Sequence, residues 1–502
     1  MTEDQYIEVC RSTDEILQSQ SASSTRVAIP WLHVIRAHHL FLKRYEHIYD
    51  DTITAYFKNI KRKARYVILL FAILAQSLFY SRYSKWLQSF NRHSQIDILF
   101  ISHLSNKSQY SQEDDFYFSD LPQKVLGAGF KSLVVMINHS REVIGVKYNK
   151  NLNKLVLPRR LGFYDELKNL SLLWTEYKTL TKEMHLEKNK IKKKILYSSA
   201  IESLSNSSLL SLRLGIQIGG LLKTLGPKAL ITTHEGYAWE RKVYDAARQV
   251  DQNIKCIGYT HAPIFEKQHA VKRNLDKQYN PDVILTSGDV QKKQLEKYGL
   301  LKNIQIDVLG SVRCIKGKVN DTDLQIKRKI TSNKKQFCLV VPEGIKMEID
   351  LLFDFSLECA KAMPECQFIW RLHPLFSFNK LSYKKIKYWN LPKNIILSDQ
   401  QLEFDLHRSQ WVLYRASSVV IQAVVAGLKP IYLHRADEIK IDPIYKIENW
   451  KSEVESVQEF ESTVKQTKGD YSDYQQALKY CIDVYSPLNE KILIETIRKN
   501  NL

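Results

Sequence analysis

A basic residue, an imidazole and a proline after one apolar run are the first candidates for chemistry in this chain. The run QFIW is followed by Arg371, Leu372, His373 and Pro374. A guanidinium and an imidazole at the carboxyl end of a strand can bind an oxyanion, and a proline fixes the turn that follows. These residues predict a phosphate-binding loop; a histidine that only caps the strand is the alternative.

Two serines after a second apolar run have the same potential. The run WVLY ends at Arg415, and Ser417 and Ser418 then open the apolar stretch VVIQAVVAG, which predicts a helix. Hydroxyl groups beside the unpaired N–H groups of a helix N-terminus form a cradle for phosphate, whereas a plain serine N-cap is the alternative. Because this group comes one strand unit after His373, the two groups predict one anion site, with Arg415 beside it.

A third loop of the same region carries an acid. The tripeptide PEG at 342–344 follows the apolar run FCLVV. We expect Glu343 and Gly344 at a turn facing the same site, where the carboxylate could hold a ribose hydroxyl or a base edge of a nucleotide. A solvent-exposed loop acid is the alternative.

The middle of the chain offers a candidate for proton transfer. The run KALITT ends in His234, Glu235 and Gly236, and the run KCIGYT ends in His261. Either His234 or Glu235 could act as a general base on a hydroxyl group, and the glycine permits close approach. His261 is expected to line the same cleft or to be structural, and Glu240 could orient the base.

These runs belong to a repeated strand–helix pattern that predicts an α/β protein. Such alternation is typical of βαβ units, and ligands of open parallel sheets bind at the carboxyl ends of the strands. We therefore predict two Rossmann-like domains facing a cleft. The expected segments are a helical N-terminal region at 1–92, a first Rossmann-like domain at 93–313, a linker at 314–335, a second at 336–440 and C-terminal helices at 441–502.

Charge and composition limit the partners. Lys and Arg number 74 against 54 Asp and Glu, which gives a formal net charge of +20. Such an excess attracts anionic lipid, nucleic acid or anionic substrates. The sequence has no zinc spacing or recognition-helix pattern, so we expect no nucleic-acid partner. The basic groups at 58–65 and 188–194 are either solvated helix faces or contacts with the inner face of a membrane.

The other sequence features indicate a cytoplasmic protein. The seven scattered cysteines resemble reduced, mostly buried thiols, and the acidic N-terminus has no signal-peptide pattern. Residues 66–80 are strongly apolar but short of the roughly 20 residues that span a bilayer. They predict a buried helix or, with their basic flanks, an interfacial anchor.

Several motifs are missing from the sequence. It contains neither GxGxxG nor GxxxxGK[ST]. Asp321 and Asp323 lie in the polar linker, a poor place for a metal site. We therefore expect a reaction that uses no metal ion and no cofactor.

Taken together, these short motifs resemble those of bacterial sialyltransferases of the GT-B type and of related enzymes that transfer Kdo. That family has an acid-acid-Gly triplet in its first domain and His-Pro and Ser-Ser motifs in its second. Here the order is His234-Glu235-Gly236, His373-Pro374 and Ser417-Ser418. The stretches THEGYAWE, GYTHAPIF, PDVILTSG and LGSVR also resemble bacterial surface-carbohydrate biosynthesis proteins, over about residues 229–434.

The resemblance implies roles for these residues. It makes His373, Ser417 and Ser418 ligands of the phosphate of a CMP-sugar, and an acid of the triplet the general base. This chain departs from the pattern at His234, so the choice between His234 and Glu235 stays open.

The leading hypothesis is therefore a glycosyltransferase that moves a Kdo- or sialic-acid-like keto-acid from CMP onto a bacterial surface glycan, either capsule or lipopolysaccharide. Its partners would be the nucleotide-sugar donor, a glycan or lipid-linked acceptor and the inner membrane face. Two other functions stay open: transfer of a polyol phosphate such as glycerol phosphate from a CDP donor, and a non-catalytic scaffold of polysaccharide assembly.

Overall fold

The computed structural model describes residues 1–50, 52–79, 87, 96–140, 147–297, 300–314, 336–374, 376–379, 386–466 and 471–499. These residues form two α/β lobes preceded by a helical region. Two sheets, one wholly parallel and the other parallel except for one edge pair, confirm the predicted pair of Rossmann-like domains. The expected linker lies outside the described residues except for its first residue, and Asp321 and Asp323 lie outside them too.

The N-terminal region packs on the first lobe. Its helices are α1 (Glu3–Leu17), α2 (Ser24–Val27), α3 (His39–Leu42) and α4 (Ile53–Ser77). The buried guanidinium of Arg26 joins this region to the lobe, because its Nε lies 2.7 Å from Oε1 of Glu176 and its Nη2 lies 2.6 Å from Oε1 of Glu183. A buried charge keeps its place only when it is paired in this way.

The apolar segment predicted at 66–80 does not form a buried helix over its described residues, 66–79. As far as Ser77 it forms the second half of α4, where Leu70 and Ile73 are buried but Ile68 and Phe71 are each 68% exposed. Among the described helices, none is long and apolar enough to cross a membrane.

The first lobe is built on a sheet in the order β3-β4-β2-β1-β5-β6-β7-β8, in which every neighbouring pair except β3–β4 is parallel. Its long strands are buried apolar runs, as expected for strands covered on both faces. The strands are β1 (Ile98–Leu104), β2 (Ser132–Asn138), β3 (Lys147–Asn149), β4 (Lys154–Val156), β5 (Ala229–Thr233), β6 (Lys255–Thr260), β7 (Val283–Thr286) and β8 (Gln305–Val308).

Six of the described helices complete the first lobe. They are α5 (Leu121–Gly127), α6 (Phe163–Leu186), α7 (Lys190–Ser203), α8 (Asn206–Leu225), α9 (Ala238–Val250) and α10 (Asp289–Lys297). The long helical stretch of the sequence forms α6 to α8, which Asn189 and Ser205 divide by capping α7 and α8.

The second lobe has a wholly parallel sheet in the order β11-β10-β9-β12-β13-β14. Its strands are β9 (Gln336–Val341), β10 (Cys366–Trp370), β11 (Ile395–Leu397), β12 (Trp411–Tyr414), β13 (Lys429–Leu433) and β14 (Ser452–Val454). Its helices are α11 (Lys346–Ala362), α12 (Leu402–Arg408), α13 (Val419–Val425) and α14 (Val457–Lys465). The sheet thus continues past residue 440 to β14.

The last two helices tie the lobes together. They are α15 (Tyr471–Val484) and α16 (Glu490–Arg498). The peptide between them crosses the first lobe, where the N–H of Ser311 donates to the carbonyl of Ser486 over 2.8 Å. Leu493 and Ile497 of α16 then enter the core of the first sheet. The chain therefore returns to the first lobe after completing the second.

Candidate functional site

Three neighbouring strand ends of the second lobe bring the predicted anion-binding loops together. Strand β9 lies between β10 and β12, and both pairings are parallel. The loops that carry Glu343, His373 and Ser417 consequently leave the sheet at the same edge. That edge faces the first lobe, since Ala416 packs against the buried ring of Phe265.

His373 lies against Gly344 at this edge. A methyl group at Gly344 would stand 3.1 Å from Cγ and Nδ1 of the imidazole, so the glycine leaves the space that the ring occupies. Burial lowers the pKa of His373, the charge of Arg313 lowers it further, and Glu343 opposes them. The imidazole is therefore neutral near pH 7 and can donate one N–H. The neighbouring Pro374 is exposed.

The two serines lie where β12 passes into α13. Ser417 is 5% exposed and Ser418 is half-buried. Ser418 holds the N-cap position, but within this described helix its hydroxyl makes no capping hydrogen bond. The simple N-cap alternative therefore does not describe Ser418.

The two arginines predicted beside the phosphate loops are engaged by carboxylates. Nε of Arg415 lies 2.8 Å from Oε2 of Glu348, and its Nη2 pairs with Glu438; the side chain is 3% exposed. Nη1 of Arg371 lies 2.9 Å from Oδ2 of Asp405. Both guanidinium charges are thus balanced inside the second lobe.

Glu343 is held by residues of the N-terminal region. Its Oε2 lies 3.1 Å from Nη2 of Arg36, and its Oε1 lies 3.0 Å from Nε2 of the fully buried His38. Burial opposes ionisation, but His38 and Arg36 outweigh it and lower the pKa of Glu343. Segment 34–37 reaches the cleft by pairing with the 267–270 loop, with Ala37 donating to the carbonyl of Lys267 over 2.9 Å.

A cluster beside this contact could be considered for a metal ion. His38, His39 and Glu348 place one ligand atom each within 4.8 Å of the others. The two imidazole rings are stacked, however, with centroids 4.7 Å apart and planes only 21° apart. Lone pairs in nearly parallel planes do not converge on one ion, and Nδ1 of His39 lies 3.2 Å from Glu438. The cluster is better described as a set of contacts between the two imidazoles and the carboxylates of Glu343, Glu348 and Glu438.

Glu235 is a carboxylate of the first lobe that faces the cleft. It is half-buried at the end of β5 and hydrogen-bonded by Tyr237. Burial raises its pKa, while Arg36, Tyr237 and Arg313 act to lower it. The loop is fixed by Glu240, whose carboxylate accepts the N–H groups of residues 235–237 over 2.7–3.1 Å. Burial and the Glu235 charge raise the pKa of Glu240 to about 8.

His234 points the other way. Its side chain is fully buried, and a methyl group on Gly258 would lie 2.8 Å from its Cβ. Burial and the charge of Arg241 lower its pKa well below the usual value. Of these two neighbouring residues, Glu235 borders the cleft and His234 does not. Gly236 follows with φ +88°, and a Cβ there would meet the carbonyl of Ala270 at 2.3 Å.

Arg313, which the sequence analysis did not single out, lies between the two lobes. It is half-buried, and its charge lowers the pKa of Glu235, His261 and His373. Its carbonyl accepts a hydrogen bond from Gln422 of α13 over 3.4 Å. The charge of Arg313 therefore influences both the candidate base and the loop predicted to bind phosphate. Its position in the LGSVR stretch, directly after β8, is the feature of the sequence that could have identified Arg313 as a candidate.

A wall of imidazole and aromatic rings continues the first lobe's side of the cleft. Nδ1 of His103 lies 2.9 Å from Nε2 of His139, and the His103 ring meets Trp239 edge-on with centroids 5.1 Å apart. Tyr117 contacts His261 at the same centroid distance, 5.1 Å. Burial, with nearby charges, lowers the pKa of His103 and His261 to about 3. The rings are neutral and present both apolar faces and polar nitrogens.

No protein-family model and no curated protein sequence matches the chain. Solved structures similar in fold include UDP-GlcNAc 2-epimerase from Neisseria meningitidis bound to UDP-GlcNAc, with 12% identity, a TM-score of 0.46 and coverage of 80% of this chain and 100% of that one. A putative UDP-N-acetylglucosamine 2-epimerase from Listeria monocytogenes has 11% identity and a TM-score of 0.47, with coverage of 81% of this chain and 97% of that one. MurG from Acinetobacter baumannii has 9% identity and a TM-score of 0.42, with coverage of 80% of this chain and 99% of that one.

Proposed function

We propose that this protein is a glycosyltransferase that takes a sugar from a nucleotide donor bound at the second lobe. The observation that supports this most is the arrangement around Arg313. Its charge acts on the carboxylate of Glu235 from one lobe and on the imidazole of His373 from the other. Glycosyl transfer needs a base for the acceptor, and a cation and hydroxyl donors for the leaving phosphate. The two sides of this cleft together offer these groups.

In the proposed reaction, Glu235 removes the proton of an acceptor hydroxyl while the hydroxyl oxygen bonds to the anomeric carbon of the donor sugar. The bond from that carbon to the phosphate oxygen breaks, and the nucleotide leaves with the electron pair. Because His373 is neutral, it donates a hydrogen bond to the phosphate, as do Ser417 and Ser418. The positive charge comes from Arg313.

We propose that Arg415, Arg371 and Glu343 position this site. Their charges are already balanced by Glu348, Asp405 and Arg36 respectively. Arg415 would fix the loop that carries the serines, and Glu343 would hold the N-terminal region against the loop that carries Gly344. A residue acting in this way supports the ligand contacts of others.

The proposed donor is CMP linked to a keto-acid of the Kdo or sialic acid type. The support is the resemblance of the His-Pro and Ser-Ser motifs and the small number of phosphate ligands. One imidazole, two hydroxyls and one guanidinium match a single phosphate diester. The proposed product is a bacterial surface glycan, capsule or lipopolysaccharide, assembled on the cytoplasmic side of the inner membrane.

Nucleotide binding tests this proposal most directly. CMP at a hundredfold excess over its dissociation constant should stabilise the protein by about 2.7 kcal/mol and raise its melting temperature by several degrees, more than UDP or GDP. The shift should disappear in His373→Ala but persist in His407→Ala, a change of an exposed histidine in the same lobe.

Each other outcome contradicts part of the proposal. A response to UDP or GDP alone would exclude the CMP donor, and a CDP-selective response with transfer of polyol phosphate would replace the reaction. An absence of any nucleotide response would leave the scaffold function.

The aromatic wall is proposed to bind the acceptor glycan. Trp239→Ala should raise the acceptor KM about tenfold, since ring contacts contribute roughly 0.5–1.5 kcal/mol beyond burial, and should leave the donor KM unchanged. Steady-state kinetics with each substrate varied would measure both. Trp389→Ala, at a 64% exposed position of the second lobe, is the matched control. An equal rise in both KM values would show that Trp239 supports the fold and not the acceptor.

A further inference from the structure

Helix α4 carries an apolar face that no other described part of the chain covers. Large apolar residues stand at positions 57, 60, 68 and 71 of the helix, and separations of 3, 8 and 3 residues place them on one side of it. Their exposed fractions are 63% for Phe57, 43% for Ile60, 68% for Ile68 and 68% for Phe71, and Leu78, which is 63% exposed, follows the last helical residue, Ser77. At 1.5 Å per residue the helical part of this stripe, from Phe57 to Phe71, is about 21 Å long.

The opposite side of α4 already belongs to the protein. Leu70 and Ile73 are buried in a small core with Leu173 of α6 and Leu212 of α8. Nζ of Lys63 also lies 4.5 Å from the ring centroid of Tyr177. The helix is therefore apolar on two sides, and packing against the first lobe accounts for only one of them.

Basic side chains lie beside the apolar stripe. The sequence of α4 has five Lys and Arg and no Asp or Glu. Lys58, Lys61 and Arg65 are exposed on one flank of the stripe, whereas Arg62 turns inward, 3.5 Å from Glu202. An apolar stripe with a basic flank is complementary to the headgroups and upper acyl chains of an anionic bilayer.

We propose that α4 lies in the plane of an anionic membrane surface, with this stripe inserted between the headgroups. This deepens the proposed function by naming the surface where a lipid-linked acceptor is met. The orientation follows from the two-sided packing: the inner side holds the helix on the first lobe, so the helix axis stays parallel to the bilayer. Lys58, Lys61 and Arg65 then reach the phosphate level, as long basic side chains do at interfaces.

Vesicle cosedimentation of the full chain tests the proposal without any sugar substrate. Wild-type protein should bind phosphatidylglycerol–phosphatidylcholine vesicles and bind pure phosphatidylcholine more weakly. Changing Ile68, Phe71 and Leu78 together to Gln should lower the bound fraction roughly tenfold or more. Changing Lys58, Lys61 and Arg65 to Gln should lower it roughly tenfold at low salt and less at high salt.

The matched control changes Leu126, Leu186 and Ile482, which are 53%, 73% and 47% exposed, to Gln and should bind as wild type does. Vesicle binding that survives the α4 triple change would overturn the proposal. So would a wild-type dimer that the triple change converts to monomer without any vesicle binding, since the stripe would then join two copies. Transfer to a soluble acceptor, measured separately, should persist in the triple variant. If the wild-type protein shows no transfer, the result would count against the transferase function and not against membrane binding.

Discussion

Replacement of Glu235 by Gln is expected to lower the rate of sugar transfer by about 10²–10⁴-fold, the range for loss of a general base. The substitution keeps the size of the side chain and a partner for Tyr237, but an amide cannot take the proton of the acceptor hydroxyl. Transfer would be measured with saturating donor and acceptor. The nucleotide-induced shift in melting temperature should stay at the wild-type value, because Glu235 is not among the proposed donor ligands.

The pH profile gives a second readout for the same residue. A base must be ionised, so the transfer rate should fall as the pH drops through the pKa of Glu235. Burial raises that pKa, which places the acid limb of the wild-type profile above the ordinary range of a glutamate. This limb should be absent from the residual activity of Glu235→Gln.

Two controls separate this role from a structural one. Glu266→Gln changes an exposed acid of the same lobe and should transfer at the wild-type rate. His234→Ala removes a fully buried ring and should lower the melting temperature while keeping the acid limb. Full activity in Glu235→Gln, or loss of the limb in His234→Ala, would assign the base elsewhere.

The strand ends could be predicted because buried parallel strands are continuous apolar runs. Both β5 and β12 end within one or two residues of the polar groups named from the sequence, His234 and Arg415. Strands β3, β4 and β14 could not be predicted, since each has only three residues, of which at least one is charged, and so forms no apolar run. Strand β14 is the reason that the second sheet continues past residue 440.

The direction in which each side chain points could not be predicted from the sequence. His234 and Glu235 are neighbours, and only the backbone course after β5 sends one into the core and the other to the cleft. The contact of Arg36 with Glu343 joins residues 307 positions apart, and no local pattern in the first 92 residues indicates it. His103 and His139 could have been predicted from the sequence, because both residues stand at the polar ends of apolar runs, as His373 does in the second lobe.

The largest effect expected on the donor side comes from Arg313. Arg313→Ala should lower kcat/KM for the donor by about 10²–10³-fold, the typical loss when a group that stabilises developing charge is removed. Most of the loss should fall on kcat, because the phosphate gains charge as the sugar leaves. Initial rates at varied donor concentration would give both constants. Arg11→Ala, an exposed arginine of α1, is the control and should behave as wild type.

The same variant makes a prediction that a purely structural arginine would not. Since Arg313 lowers the pKa of Glu235, its removal should raise that pKa and move the acid limb of the pH profile upward. Arg313→Lys keeps the charge but not the forked geometry of the guanidinium, so it should restore the position of the limb and only part of kcat. A variant that loses activity with an unmoved limb would place Arg313 outside the charge balance of the cleft. The donor phosphate would then have to be neutralised by another cation, and Arg36, which also lowers the pKa of Glu235, would be the next residue to change.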